Sequence, residues 1–342
     1  MGSKIKMRAV VGLALAVAAG AAASQTILKV HHFLPSGSNA HQKMIQPWCE
    51  KVEKESAGSL KCQIYPAMQL GGTPPQLMDQ VRDGVADIVW GVPTYIAGRY
   101  VKSEVFELPF MASNAKQGSQ ALWDYIHDYA QDEYKGIKPL FVHVTEGYLF
   151  HSREAIGSLA DLKGKKIRTP NRLSARMIHA LGATPVQMPM PQVPDALSKG
   201  VVDGVLAPWE ILPATKLHEI VKYHADTPES APRMANTIFM FGMNQAKYDS
   251  LSPEQKKVID ANSGLAVSAW AGGTYDQARV PFRNMAKERG NATSFISEAE
   301  LTRWQQAVAS VETGWIKDAE AKGADGKKLL ASAKGLLSKY AK

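Results

Sequence analysis

Apolar positions along the chain follow two alternating periods. Ile27–Phe33, Leu60–Tyr65, Ala86–Val92 and Pro139–Val144 are short runs with the length and β-branched content of strands. Between them, Ala40–Ser56 places Met44, Ile45, Trp48 and Val52 at helical spacing. Leu77–Asp83 continues a helix that Pro74-Pro75 opens and Gly84 stops, and Gln117–Tyr134 is a further helix. The alternation then restarts. Strands at Tyr148–Ser152, Ile167–Pro170, Thr184–Met188 and Val202–Leu206 are separated by helices at Arg172–Gly182 and Val193–Gly200. Thr237–Met243 reads as a late strand crossing back to the first unit. Pro253–Arg289 predicts one or two long helices, and Glu298–Ala341 more.

Strand–helix alternation run twice predicts an α/β protein of two domains, each a sheet flanked by helices, the first sheet largely parallel. Domain I is expected over 25–146 plus about 233–270, and domain II over 147–232 plus about 271–342. In such sheets ligands bind beyond the carboxyl ends of strands. That gathers Phe33, the loop after Tyr65 and Trp90–Tyr95 around one crevice.

The first 24 residues change the picture of where the chain works. Lys4, Lys6 and Arg8 precede the apolar stretch Ala9–Ala19, and Ala21-Ala22-Ala23 fits a small-residue cleavage site, so 1–24 reads as an export signal peptide. The apolar run is short and Ala-rich for a membrane span, which needs about 20 strongly apolar residues. Removing it takes three cations, and the formal charge of +8 becomes 8 − 3 = +5. That excess suits an anionic small molecule, and no Lys/Arg block points to nucleic acid.

An oxidising compartment gives the two cysteines, Cys49 and Cys62, a meaning. From Cys49 to its helix end is about 10 Å, and from Ser59 back to Cys62 along the next strand is about 10 Å. The two sulfurs therefore end side by side, and a disulfide is expected over two buried thiols.

The chemistry concentrates in Asp161–Pro170, DLKGKKIRTP. Gly164 sits where a tight turn needs a permissive backbone. Lys163, Lys165 and Lys166 read as solvated. Arg168 follows an apolar strand residue and is closed off by Thr169-Pro170, so its planar fork of donors can point into a cleft and pair with a carboxylate. Arg172 and Arg176, on the following helix, are expected to point away from it.

Taken in order, IYPAMQLGG, LMDQVRDGVADIVWG, FELPF, DLKGKKIRTP, GATPVQMPMPQV and GVVDGVLAPWE resemble the solute-binding protein of a TRAP transporter (tripartite ATP-independent periplasmic, DctP type) across nearly the whole mature chain. The resemblance implies a type II-like two-domain periplasmic binding protein, with mixed sheets, a long helix spanning both domains and a ligand cleft between them. It implies Arg168 as the partner of the ligand carboxylate. It also implies a periplasmic monomer, with the small and large permease subunits as membrane partners. Sialic-acid members carry a second arginine, an asparagine and an acid where this chain has Tyr148, Ala207 and Gln192, which points away from that ligand; Asn236 matches the family pattern. Phe33, Trp90, Tyr95, Tyr148, Phe150, Met188, Trp209, Phe239 and Phe241 fall near the family's pocket lining. One arginine between flat apolar walls suits a small monocarboxylate, an aromatic or 2-oxo acid among them.

An enzyme acting on a small carboxylate and a ligand-sensing receptor subunit are the rival readings. No G-x-S-x-G, H-E-x-x-H, phosphate-loop or G-x-G-x-x-G motif is present. His31 and His32 point to opposite strand faces and cannot easily share an ion with His41. Asp87 and Asp203 end turns and are expected to cap backbone amides. Neither a cofactor nor a metal is implied.

Overall fold

The computed structural model describes residues 25–111 and 113–341; the leader at 1–24 lies outside the described residues. In chain order the strands are β1 (Thr26–His32), β2 (Leu60–Tyr65), β3 (Ile88–Gly91), β4 (Ile137–Val144), β5 (Leu149–Ser152), β6 (Lys166–Thr169), β7 (Thr184–Gln187), β8 (Gly204–Ala207), β9 (Tyr223–Asp226), β10 (Ile238–Asn244) and β11 (Ala292–Phe295). They form two mixed sheets, ordered β2-β1-β3-β10-β4 and β11-β9-β5-β8-β6-β7. Helices cover both, giving the two-domain periplasmic binding protein fold.

β1, β2 and β3 are parallel, as strand–helix–strand units require. The first sheet is less parallel than its opening alternation suggests, because β10 inserts antiparallel between β3 and β4. Two strands escape the periodicity. β9 (YHAD) and β11 (ATSF) are four residues each and largely polar; β11 joins β9 as a partly exposed edge. The helix expected over Ala40–Ser56 runs from a π-wound turn, His41–Ile45, into Gln46–Glu55. Pro47 has no N–H to return to Lys43, so regular winding is not available there. Cys49 of that helix is bonded to Cys62 of β2, with Cα atoms 5.6 Å apart.

The chain passes between the sheets three times. Residues 145–148 link β4 to β5, residues 227–237 link β9 to β10, and the 24-residue helix Leu265–Glu288, about 36 Å long, runs along both. At one end Ser268 Oγ accepts from the Val142 N–H of β4 (3.1 Å); further along, Arg279 pairs with Asp226 of β9. The first two crossings are tied by Tyr148 N–H donating to the Ala235 carbonyl (2.9 Å). Gly147 holds φ +101°, and a Cβ there would lie 2.3 Å from Arg233 Cγ, so the crossings touch only because this residue has no side chain.

Candidate functional site

The carboxyl ends of β1 and β3 and the amino end of β10 meet at one rim of the first sheet. Each of four adjacent strands, or the residue after it, contributes one ring. Phe33 lies on Trp90 (centroids 5.0 Å, planes 16° apart), Trp90 on Phe239 (4.5 Å, 13°) and Phe239 on His143 (4.8 Å, 4°). These spacings are those of neighbouring strands, about 4.8 Å, so the sheet itself sets the stack. Tyr275 of the long helix continues it, 4.6 Å from His143. His143 is neutral. Trp90 Nε1–H donates to its Nε2 (2.9 Å), and burial drives its pKa down to about 3.

The second sheet faces this rim with Arg168, next to last in β6 and wholly buried. The tight turn at Gly164 (φ +78°) leads from the short helix Leu159–Leu162 into β6, and Thr169-Pro170 follows Arg168 at the exit. Its Nε (3.0 Å) and Nη2 (2.8 Å) donate to the Met188 carbonyl and Nη1 (3.2 Å) to the Leu206 carbonyl. Burial lowers its pKa, with Tyr95 and Tyr148 nearby acting the other way, yet a guanidinium stays protonated in proteins. The other deeply buried arginines, Arg233 and Arg279, are ion-paired with Glu229 and Asp226. Among the described residues no acidic oxygen lies within 4 Å of Arg168. The two lobes close over the guanidinium, which leaves it no exposed surface.

Between stack and guanidinium lies a cavity of about 20 Å³, lined by Phe33, Leu34, Trp90, Tyr95, Thr145, Tyr148, Arg168, Met190, Pro208, Glu210, Ile211 and Phe239. That is room for about one water-sized group, so a larger ligand enters only when the lobes part. A roomier hollow of about 290 Å³ lies outside the first sheet, lined by Trp123, Ile126, Tyr134 and Lys138 among others; its one cation, Lys138, pairs with Asp260. It has no buried free charge to hold an ion.

Of the residues singled out by sequence, Phe33, Trp90, Tyr95, Tyr148, Arg168 and Phe239 line the cavity. Phe241 does not. It lies two residues, about 7 Å, further down β10, packed on Trp48 and Phe141 in the core. Phe150 is likewise two residues below Tyr148, edge-on to Trp304. Trp209 sits behind the wall, its Nε1–H given to Asp226 (2.8 Å). Met188 contributes its carbonyl to Arg168, and Asn236, turned to satisfy its amide, donates to the Thr145 carbonyl (3.2 Å). Arg172 and Arg176 point away from the cavity, as expected, but Arg172 is held rather than solvated: it grips buried Glu104 and shares Asp318 with Arg176. His31 turns to Gln80 (2.8 Å) and His32 to His41 (2.9 Å), on opposite faces. Asp87 and Asp203 accept from the Lys29 and Lys166 amides, both at 2.7 Å.

Sequence reading missed Thr145, Met190, Glu210 and Glu107. Glu107, within FELPF, accepts from Thr94 Oγ1 (2.7 Å) and Ile238 N (3.0 Å), and burial pushes it up to about 8 despite those bonds. It ties the start of β10 to the turn carrying Tyr95. Glu210 ends the quoted segment GVVDGVLAPWE; an acid directly after a strand-ending Pro-Trp was the available signal. A fixed cation beside flat apolar walls is an arrangement that accepts a small planar anion.

The family model for bacterial extracellular solute-binding proteins, family 7 (DctP), matches residues 30–318. A TRAP solute-binding protein of Rhodoferax ferrireducens, solved with copurified benzoate, superposes with a TM-score of 0.91 at 42% identity, covering 92% of this chain and 98% of that one. A marine-metagenome TRAP solute-binding protein described as specific for aromatic acid ligands, co-crystallised with 3-hydroxybenzoate, gives 0.91 at 48% identity over 93% of this chain and all of its own. The Comamonas testosteroni protein TsaT, described as an outer membrane transporter protein, is 25% identical over 299 residues, 85% of this chain and 86% of its own. The chain belongs to the DctP family of extracellular solute-binding proteins, the solute receptors of TRAP transporters.

Proposed function

We propose that this receptor captures a small aromatic monocarboxylate in the periplasm and hands it to the small and large subunits of a TRAP permease. The carboxylate pairs with Arg168 in bidentate fashion, and the ring lies against Phe33, Trp90, Tyr95, Tyr148 and Phe239. The observation that carries this reading is Arg168: a wholly buried guanidinium whose protein partners are neutral carbonyls. A buried cation is costly without an anion. The aromatic acids named for the two structures at 42% and 48% identity support the ligand class.

The test is calorimetry and thermal shift with benzoate and 3-hydroxybenzoate against acetate and a sugar acid. Aryl acids should bind and raise the melting point. Arg168→Ala should weaken binding by roughly 3–5 kcal/mol, or about two to three and a half decades. Arg168→Lys should recover part of it, since an ammonium lacks the fork. Because Arg168 also satisfies the Met188 and Leu206 carbonyls, both variants are first checked for a cooperative melt. Indifference to aryl acids, or near-normal binding by a folded alanine variant, overturns the reading. Delivery is tested separately, by ligand uptake into vesicles holding the permease.

A further inference from the structure

Four buried polar atoms without a hydrogen-bond partner lie in the cavity wall or directly behind it. They are Thr145 Oγ1, Glu146 Oε2, Glu210 Oε2 and Tyr275 Oη, on residues at most 4% exposed. Buried polar groups are normally satisfied, so four orphans at one place mark a site. Thr145 and Glu210 form part of the cavity wall. Glu146 stands behind them, its Oε1 accepting the Glu210 N–H at 3.0 Å.

Topology places this cluster relative to Arg168. Arg168 is next to last in β6, Glu210 follows β8, and Glu146 precedes β5, while the sheet runs β5-β8-β6. Along the sheet Glu210 therefore stands one strand spacing, about 5 Å, from the strand of the guanidinium and Glu146 two, about 10 Å, each a few residues beyond its strand end. That span matches an aromatic ring bearing a carboxylate at one end and a hydroxyl toward the other, with a hydrogen bond at each.

We infer that Glu210 and Thr145 form a second polar subsite that takes a hydroxyl substituent on the ring of an aryl carboxylate. The inference rests on the Arg168 reading and deepens it. A hydroxyl fits because it both donates and accepts, and so can meet a carboxyl and a threonine together. Among the described residues neither Glu146 nor Glu210 has a cation within 4 Å. The groups facing them are Tyr275, Asp276 and Arg279 of the long helix, with Tyr148 of the first crossing and Arg168 of β6 in the same cavity wall. Burial raises the pKa of both acids, with the Glu146 carboxyl adding to the rise at Glu210 and Asp276 to that at Glu146, so Glu210 can offer a proton to the hydroxyl oxygen. A second carboxylate on the ligand would meet Glu146 and Glu210 at this end, where Arg279 is already paired with Asp226.

Calorimetry with benzoate and with 2-, 3- and 4-hydroxybenzoate tests this on the full mature chain. The wild type should bind at least one hydroxybenzoate about five- to tenfold more tightly than benzoate, the worth of one buried hydrogen bond. Glu210→Leu and Thr145→Val should bring that ratio toward one, each variant's benzoate affinity being measured alongside as its own reference. Glu210→Gln, which keeps a donor and an acceptor, should preserve most of it and provides a folded control if the leucine variant fails to melt cooperatively. A wild type that does not favour any hydroxybenzoate overturns the subsite. So does a ratio unchanged in Thr145→Val and the folded Glu210 variants, which would leave the cluster as a water site. In both of those cases benzoate still binds through Arg168, so the primary reading survives; failure of every aryl acid removes both.

Discussion

Gly147→Ala is the sharpest test of how the two lobes are joined. Gly147 adopts φ +101°, and an added Cβ would meet Arg233 Cγ at 2.3 Å, Cβ at 2.4 Å and Cδ at 2.7 Å. The positive φ costs an L-residue about 1–2 kcal/mol. The overlap adds about 1–3 kcal/mol, because the atoms struck are the root of the Arg233 side chain. Its far end is also held: Nε donates to the Ser113 carbonyl (3.1 Å) and Nη2 to Glu229 (2.9 Å). The expected loss is therefore about 2–5 kcal/mol. Gly164→Ala supplies the control, since Gly164 has φ +78° but open space around its missing Cβ. It should lose only the conformational part, about 1–2 kcal/mol. Urea unfolding of both variants measures the two costs, with the m-value checking that the same surface is exposed. Equal losses in the two variants would refute the claim that crossing-on-crossing contact is what requires glycine at 147.

Three further outcomes follow from the same structure. Reducing the Cys49–Cys62 bond, which spans 13 residues, should lower stability by about 3 kcal/mol; an unchanged urea midpoint under reductant would show that the link constrains little. His32 and His143, held near 3 by burial, are neutral in the fold. Their contribution is complete above the unfolded value of about 6.5 and is lost as pH falls toward 3, at about 1.4 kcal/mol per unit for each group. Glu107, raised to about 8, acts oppositely, its contribution present below about 4.5 and lost as pH rises through 8. Stability should thus peak between these limits, and His143→Gln should fall less steeply than wild type from pH 6.5 to 4; parallel profiles would remove His143 from the account. Finally, saturating benzoate should shrink the radius of gyration in solution scattering, because ligand contact with both lobes favours the closed form. An identical curve with and without ligand would eliminate hinge closure.

Much was legible in one dimension. Apolar periods located most strands and helices within a few residues, because a half- or fully buried element must repeat its apolar positions at its own pitch. Arg168 was legible for a local reason: a lone guanidinium behind an apolar strand and before an X-Pro turn has few places to go. The cysteine pair was legible because a helix and the strand after it return over the same distance. Only the tertiary structure decided the rest. β9 and β11 carry no periodic signal and exist through pairing with each other and, for β9, with β5. Phe239 and Phe241 share a strand face and cannot be ranked by period, yet one lines the cavity and the other the core. Strand register sets depth, and register depends on where β10 lands between β3 and β4, more than ninety residues away in the chain. The same holds for Glu210, an ordinary acid in sequence, whose burial beside Glu146, with no ion-pair partner among the described residues, arises only when the crossings bring two sheet edges together.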